Sequence, residues 1–181
     1  MKVARARIAD VCILEPRVFE DPRGFLFESY SRRSFKEATG VDPEFVQDNQ
    51  SFSLRNVLRG LHYQVRQPQG KLIMALAGEI FDVAVDLRRG SPSFGKWVSA
   101  TLSSGTHRAV WIPPGFAHGF LVLSEHALIH YKSTDYYAPE HERTVMWNDP
   151  DLAIAWPLEA EPVVSDKDRR GMRIAQAELP A

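Results

Sequence analysis

The stretch "EIFDVAVDL", residues 79–87, decides the fold class. Phe81, Val83, Val85 and Leu87 fall on one face of an extended chain, and Asp82, Ala84 and Asp86 on the other. A period of two marks a β-strand with one apolar face. The "RRGSPSFG" that follows supplies a turn or loop. Working outward, "FVQDNQSFS", "VLRGLHYQ", "KLIMALAG", "WVSATLS", "HRAVWIP", "AHGFLVLS" and "ALIHYKS" read as further short strands separated by turn residues. That many short strands at regular spacing predict an all-β sandwich or barrel whose closure removes exposed sheet edges. Asp82 and Asp86 then read as the wet side of their strand. A helix is expected in "SRRSFKEATG", where Ser34 and Glu37 can form a capping box and Gly40 can sit just past the end. The segment "SDKDRRGMRIAQAEL" can add another short helix, and after Gly171 a packed-on or loose terminus is expected.

With 181 residues, 44% hydrophobic and 25% charged, the chain is sized for one domain, residues 1–181, with a full core. A formal net charge of -1, with arginine pairs scattered among acids, argues against a nucleic-acid partner. The single cysteine, Cys12, cannot form an internal disulfide, and "MKVARARIADVCILEP" is broken by Arg5, Arg7 and Asp10, so it lacks a signal peptide's apolar core. A cytoplasmic protein is expected. No apolar run approaches the ~20 residues that a membrane helix needs.

Two of the six histidines stand in contexts that ask for chemistry: His62, in "NVLRGLHYQ", and His118, in "IPPGFAHGF". The latter resembles the second motif of the cupin superfamily, whose histidine is often a metal ligand in a small jelly-roll barrel. One reading is therefore a metal-dependent cupin oxygenase or isomerase using His62 and His118. It needs further histidines and a carboxylate converging on one ion. Tyr63, Gln64 and the cationic Lys71 stand where they would be sought. An organic site fits the same residues better. His62, with an unperturbed pKa of ~6.5, suits proton removal and return. Lys71 and Arg59 suit an anionic substrate or a developing enolate, and Tyr131 could donate a proton. Taken alone, Tyr131 reads as packing and Lys71 as a strand-end lysine. His107, His126 and His141 read as surface residues, and the four tryptophans as core or interface fillers.

Nine segments then occur in one order: "RGFLFES", "FVQDNQS", "VLRGLHYQ", "QGKL", "FDVAVDLR", "SPSFGKW", "WIPPGFAHGF", "YKSTDYY" and "WNDPDLAIAWP". In these the chain resembles the dTDP-4-dehydrorhamnose 3,5-epimerases of nucleotide-sugar metabolism, over almost its whole length. The resemblance implies a cupin-like jelly-roll β-barrel, usually a homodimer, without metal or dissociable cofactor. It implies inversion of carbons flanking the C4 ketone of a dTDP-4-dehydro-6-deoxy-hexose, at C3 and C5 or at C3 alone, in dTDP-L-rhamnose or related deoxysugar biosynthesis. By the same resemblance His62 is the proton acceptor with Asp168 as its partner, Lys71 stabilises the enolate oxygen, and Tyr131 reprotonates from the opposite face. The positions matching nucleotide-sugar contacts are Arg23, Glu28, Gln47, Asn49, Arg59, Lys71, His118, Glu142 and Lys167. Arg23 and Glu28 lie on an N-terminal segment that reaches into the partner subunit in this family. Met74, Gln50 and Phe52 depart from residues common in relatives, which leaves the exact sugar and base open. If Arg59 and His62 serve one cavity, regular alternation between them cannot hold. A bulge or sharp twist is therefore expected at Gly60-Leu61.

Overall fold

The structure is a computed structural model and describes residues 1–180. Two antiparallel sheets face one another. The first runs in the order β1 (Lys2–Arg5), β2 (Cys12–Glu15), β10 (Ala109–Ile112), β7 (Lys71–Ala77), β12 (His126–Ser133) and β5 (Gln47–Leu54). The second runs β13 (Glu142–Thr144), β6 (Leu58–Gln64), β11 (Phe116–Val122), β8 (Glu79–Asp86) and β9 (Trp97–Ser103). A separate hairpin pairs β3 (Val18–Asp21) with β4 (Gly24–Phe27). The expected jelly roll is thus present, built as two facing sheets.

The space between the sheets is filled from both sides by Ile73, Ile129 and Val110 of the first and Ile80, Phe116 and Phe120 of the second. A second apolar cluster lies on the outer face of the five-stranded sheet. There Leu61, Val83, Val85 and Leu87 are covered by Leu152, Trp156, Ile174 and Leu179 of the C-terminal segment. This corrects the reading of residues 79–87. The strand is where the alternation put it, but Asp82 is 2% and Asp86 0% exposed, so neither is on a wet side. The apolar face serves the outer cluster, and the other face turns inward. Asp86 is buried because Arg88, Ser91 and Ser93 all donate to its carboxylate. Those bonds hold the carboxyl far below its usual range against the opposing effect of burial.

Helix α1 (Arg32–Thr39) begins earlier than the expected Ser34–Glu37 box, because Ser31 is the N-cap and accepts from the Ser34 amide at 3.4 Å. Gly40 closes it in the left-handed region at φ 82, as expected. Its buried Phe35 meets the Trp111 ring edge-on at 5.4 Å, which seats the helix on the outer face of β10. Helix α2 (Asp166–Arg169) is a single turn capped by Ser165. The tail beyond is packed on: the Tyr63 hydroxyl donates to the Glu178 carbonyl at 2.8 Å.

The bulge falls where the sequence demanded it. On β11, His118 pairs with His62 and Phe120 with Arg59, so two steps along β11 match three along β6. The extra residue lies within Gly60-Leu61, and the peptide bond between them is cis. Directly paired residues share a face. His118 and Phe120 are two apart on a strand that pairs regularly with β8, so Arg59 and His62 also share a face. Gly60 stands at φ 121, and a Cβ there would lie 2.6 Å from the Gly119 Cα. Gly60→Ala is therefore expected to cost about 2 kcal/mol or more, from strain at positive φ plus the backbone clash. Urea unfolding checks this; an unchanged midpoint would show that β6 and β11 can separate without loss.

Candidate active site

Register alone assembles the lumen. Tyr131 lies opposite Asn49, and Ser133 lies opposite both Gln47 and Lys71, so β5, β7 and β12 turn these side chains to the same side. Across the gap, Arg59 and His62 share their face with His118 and Asp82 through the β11 pairings. On β13, Glu142 pairs with Gln64, two residues beyond His62. The one-turn helix α2 then brings Asp168 against Gly60 and His62 of β6 and Lys167 against Glu142 of β13.

His62 Nε2 lies 2.6 Å from Asp168 Oδ1. Asp168 is 2% exposed, and its other oxygen accepts from the Gly60 amide at 3.5 Å. Burial would raise this carboxyl, but the bonds from His62, Ser165 and Gly60 outweigh burial and hold it below its ordinary value. A carboxylate on Nε2 fixes the tautomer with the proton there, which leaves the Nδ1 lone pair as the base. Burial pulls His62 below its ordinary pKa, with Asp168 opposing, so the ring is neutral at pH 7.

A second pair sits beside it, with His118 Nε2 2.7 Å from Asp82 Oδ2 and both side chains buried. Burial pushes Lys71 down to about 8, while the fields of Glu142 and Asp82 oppose that fall. Burial raises Tyr131, against the field of Arg59, so its phenol keeps its proton. Arg59 is oriented by donating from Nε to Ser53 Oγ at 3.0 Å.

The mouth is ringed by one chain of hydrogen bonds. Gln47 Nε2 donates to Asn49 Oδ1 at 2.9 Å, and the Tyr137 amide donates to Gln47 Oε1 at 3.0 Å. The Tyr137 hydroxyl donates to Glu142 Oε2 at 2.9 Å, and Lys167 Nζ donates to Glu142 Oε1 at 2.9 Å. These last two bonds keep the Glu142 carboxyl below its usual value despite burial.

Ten of the twelve residues expected at the site thus belong to one lumen and its rim. The exceptions are Arg23 and Glu28. Arg23 is exposed on the β3–β4 hairpin and turns its guanidinium onto Asp21 of the same hairpin at 2.6 Å; Glu28 follows the hairpin and is exposed too. Sequence reasoning missed Asp82, Tyr137 and Gln64. Asp82 had a usable signal, its place on the same strand face as Ala84, but alternation does not say which face is covered. His62 and His118 each commit Nε2 to a carboxylate, and among the described residues no three His, Cys, Asp or Glu side chains gather in a metal-holding group.

A neutral imidazole on one wall, and a protonated phenol and a half-buried ammonium on the other, are equipment for proton transfer beside a carbonyl; in a cupin-like jelly roll this defines an isomerase. The comparisons narrow it. Residues 5–176 match the family model described as dTDP-4-dehydrorhamnose 3,5-epimerase. The Pseudomonas aeruginosa enzyme of that name is 61% identical over 178 residues, 98% of each chain. A Legionella pneumophila epimerase solved with dTDP-4-keto-L-rhamnose superposes at TM-score 0.96 with 48% identity, covering 99% of this chain and 97% of that one. A 3′-monoepimerase from Streptomyces bikiniensis, solved with dTDP-quinovose, gives 0.91 and 36%, covering 100% and 93%. The chain belongs to the dTDP-4-dehydrorhamnose 3,5-epimerase family, and it is an epimerase.

The fields on Lys71 set a titration that can be read directly. In the unmodified protein its ammonium loses the proton near pH 8. Asp82→Asn removes a charge that favours the protonated form, so the midpoint is expected to fall below that value. Carbon-13 NMR of labelled lysine follows it; an unmoved midpoint would remove Asp82 from the electrostatics of Lys71.

Proposed function

We propose that the protein inverts C3 and C5, or C3 alone, of a dTDP-linked 4-dehydro-6-deoxy-hexose, in the making of dTDP-L-rhamnose or a related deoxysugar. The ketone acidifies the neighbouring C–H. His62 Nδ1 takes that proton, its charge held by Asp168. Lys71 stabilises the enolate oxygen, and Tyr131 returns a proton from the other side, with solvent restoring both groups. The observation that carries this reading is that base and acid come from opposite sheets, His62 from β6 and Tyr131 from β12, with Lys71 on β7. A sugar ring lying between the sheets meets them on opposite faces. Gln47, Asn49, Arg59, His118, Glu142 and Lys167 hold the nucleotide sugar, its diphosphate drawn to Arg59 and Lys167. The reaction asks for no cofactor or metal, because side chains handle both protons. The whole chain serves as one catalytic domain. Its one cysteine, buried and unpaired, suits a reducing compartment such as the cytoplasm; among the described residues no helix is long and apolar enough to cross a membrane.

In deuterated water, dTDP-4-dehydro-6-deoxy-glucose should gain solvent label at C3, and at C5 if both centres react. His62→Ala should lower exchange at every centre by about 10²-fold or more. Tyr131→Phe should keep exchange but lose most inversion, since the proton then returns to the face it left. Absence of label at both carbons sinks the reading for this sugar; intact inversion in Tyr131→Phe moves the acid elsewhere.

The same reading makes the active unit a homodimer. The hairpin carrying Arg23 exposes Phe19, Phe25 and Leu26 at 52%, 60% and 73%, and β5, which bears Gln47 and Asn49, is a sheet edge. Docking the hairpin of one chain near the lumen of its partner covers both and brings Arg23 and Glu28 to the nucleotide. Sedimentation should give twice the chain mass, and Arg23→Ala should raise KM severalfold. A monomer with full activity would overturn it.

A further inference from the structure

We propose that Gln64 is a positioning residue for the substrate-binding rim: its single amide grips the peptide groups on both sides of Tyr137 and so sets where that side chain stands at the mouth. This rests on the reading that the rim holds the nucleotide sugar.

Gln64 is 4% exposed and follows His62 by two residues, on the same face of β6. Its Nε2 donates to the Tyr136 carbonyl at 3.2 Å and to the Gln67 carbonyl at 2.8 Å. Its Oε1 accepts from the Ala138 amide at 2.9 Å. Both amide hydrogens are therefore used, and two of the three bonds bracket residue 137. Tyr137 itself reaches outward, its amide to Gln47 and its hydroxyl to Glu142. Gln47 is bonded to Asn49, and Glu142 to Lys167. Tyr137 is thus the one member of the ring that links β5 to β13, and Gln64 fixes its backbone.

Only glutamine meets these demands at this position. Glutamate keeps an acceptor for Ala138 but has no N–H for the carbonyls of Tyr136 and Gln67. Methionine fills the volume and offers neither, which strands the buried Ala138 amide and two partly buried carbonyls. Because the clamp springs from the strand that bears the base, rim and base keep a fixed separation.

The test is a double-mutant cycle read by calorimetry with dTDP and by steady-state kinetics. Gln64→Met is expected to weaken dTDP binding about tenfold, the size of one or two lost net hydrogen bonds, and to raise KM by a similar factor while kcat falls less. Gln64→Glu should fall between, and it carries the comparison if Gln64→Met does not fold. In a Tyr137→Ala background, either change should add less than about twofold. Unchanged dTDP affinity in the folded variant, or equal effects in both backgrounds, overturns the proposal. Failure of the unmodified protein to bind dTDP would instead overturn the nucleotide reading on which the clamp rests.

Discussion

The site depends on how closely two backbones approach at Gly60 and Gly119. A Cβ on Gly119 would lie 2.7 Å from the Arg59 carbonyl, and one on Gly60 would lie 2.6 Å from the Gly119 Cα. Side chains are excluded on both strands at this crossing. The reward is an extra residue in β6 that turns Arg59 and His62 to one side, which a regular strand forbids. The same irregularity points the Gly60 amide at Asp168, so the feature that turns His62 inward also helps hold the carboxylate that orients its ring.

Charge in the lumen follows from that geometry. Asp82, Asp168 and Glu142 are each bound to a partner: His118, His62 and Lys167. Buried carboxylates without such partners would take up protons instead. With the acids so engaged, Lys71 and the outward edge of Arg59 supply positive potential to a bound anion. Lys71 is poised because burial and the fields of Asp82 and Glu142 act in opposite directions on it. A lysine at about 8 is a better proton-sharing partner for an enolate oxygen than one at its ordinary value.

The central strands were legible because their alternation is long enough to count. Residues 97–103 form β9 as read, and residues 79–87 lose only the last position from β8. The four-residue β1 and β2 went unread, since two repeats of an alternation are no pattern and Arg5 interrupts the first. Periodicity also does not tell that the tail covers the outer face of β8, so alternation alone reads Asp82 and Asp86 as solvent-facing. Residue types alone gave base, cation and acid, but the partnership of His62 with Asp168 spans 106 positions, which no local pattern carries. Family motifs supplied that pairing. Gln64 and Tyr137 lie inside "VLRGLHYQ" and "YKSTDYY", yet their bonds run largely through backbone groups, which a sequence does not display.

Two facing sheets suit this reaction for a stereochemical reason. Inversion requires that the proton leave one face of a ring and return to the other, so the two groups must approach from opposite sides. If both stood on one sheet they would meet the same face, and the outcome would be exchange with retention. In this fold the opposition is a property of the architecture: β6 belongs to one sheet and β12 to the other. Only the fine placement is left to local devices, and each wall has its own. The bulge at Gly60 and the one-turn helix α2 set His62, while the β12–β5 and β12–β7 ladders set Tyr131 beside Asn49 and Ile73. With His62 as the base and Tyr131 as the acid, as proposed, a change that loosens one wall misaligns one half of the reaction while leaving the other in place, so exchange and inversion are expected to separate according to which sheet has been disturbed.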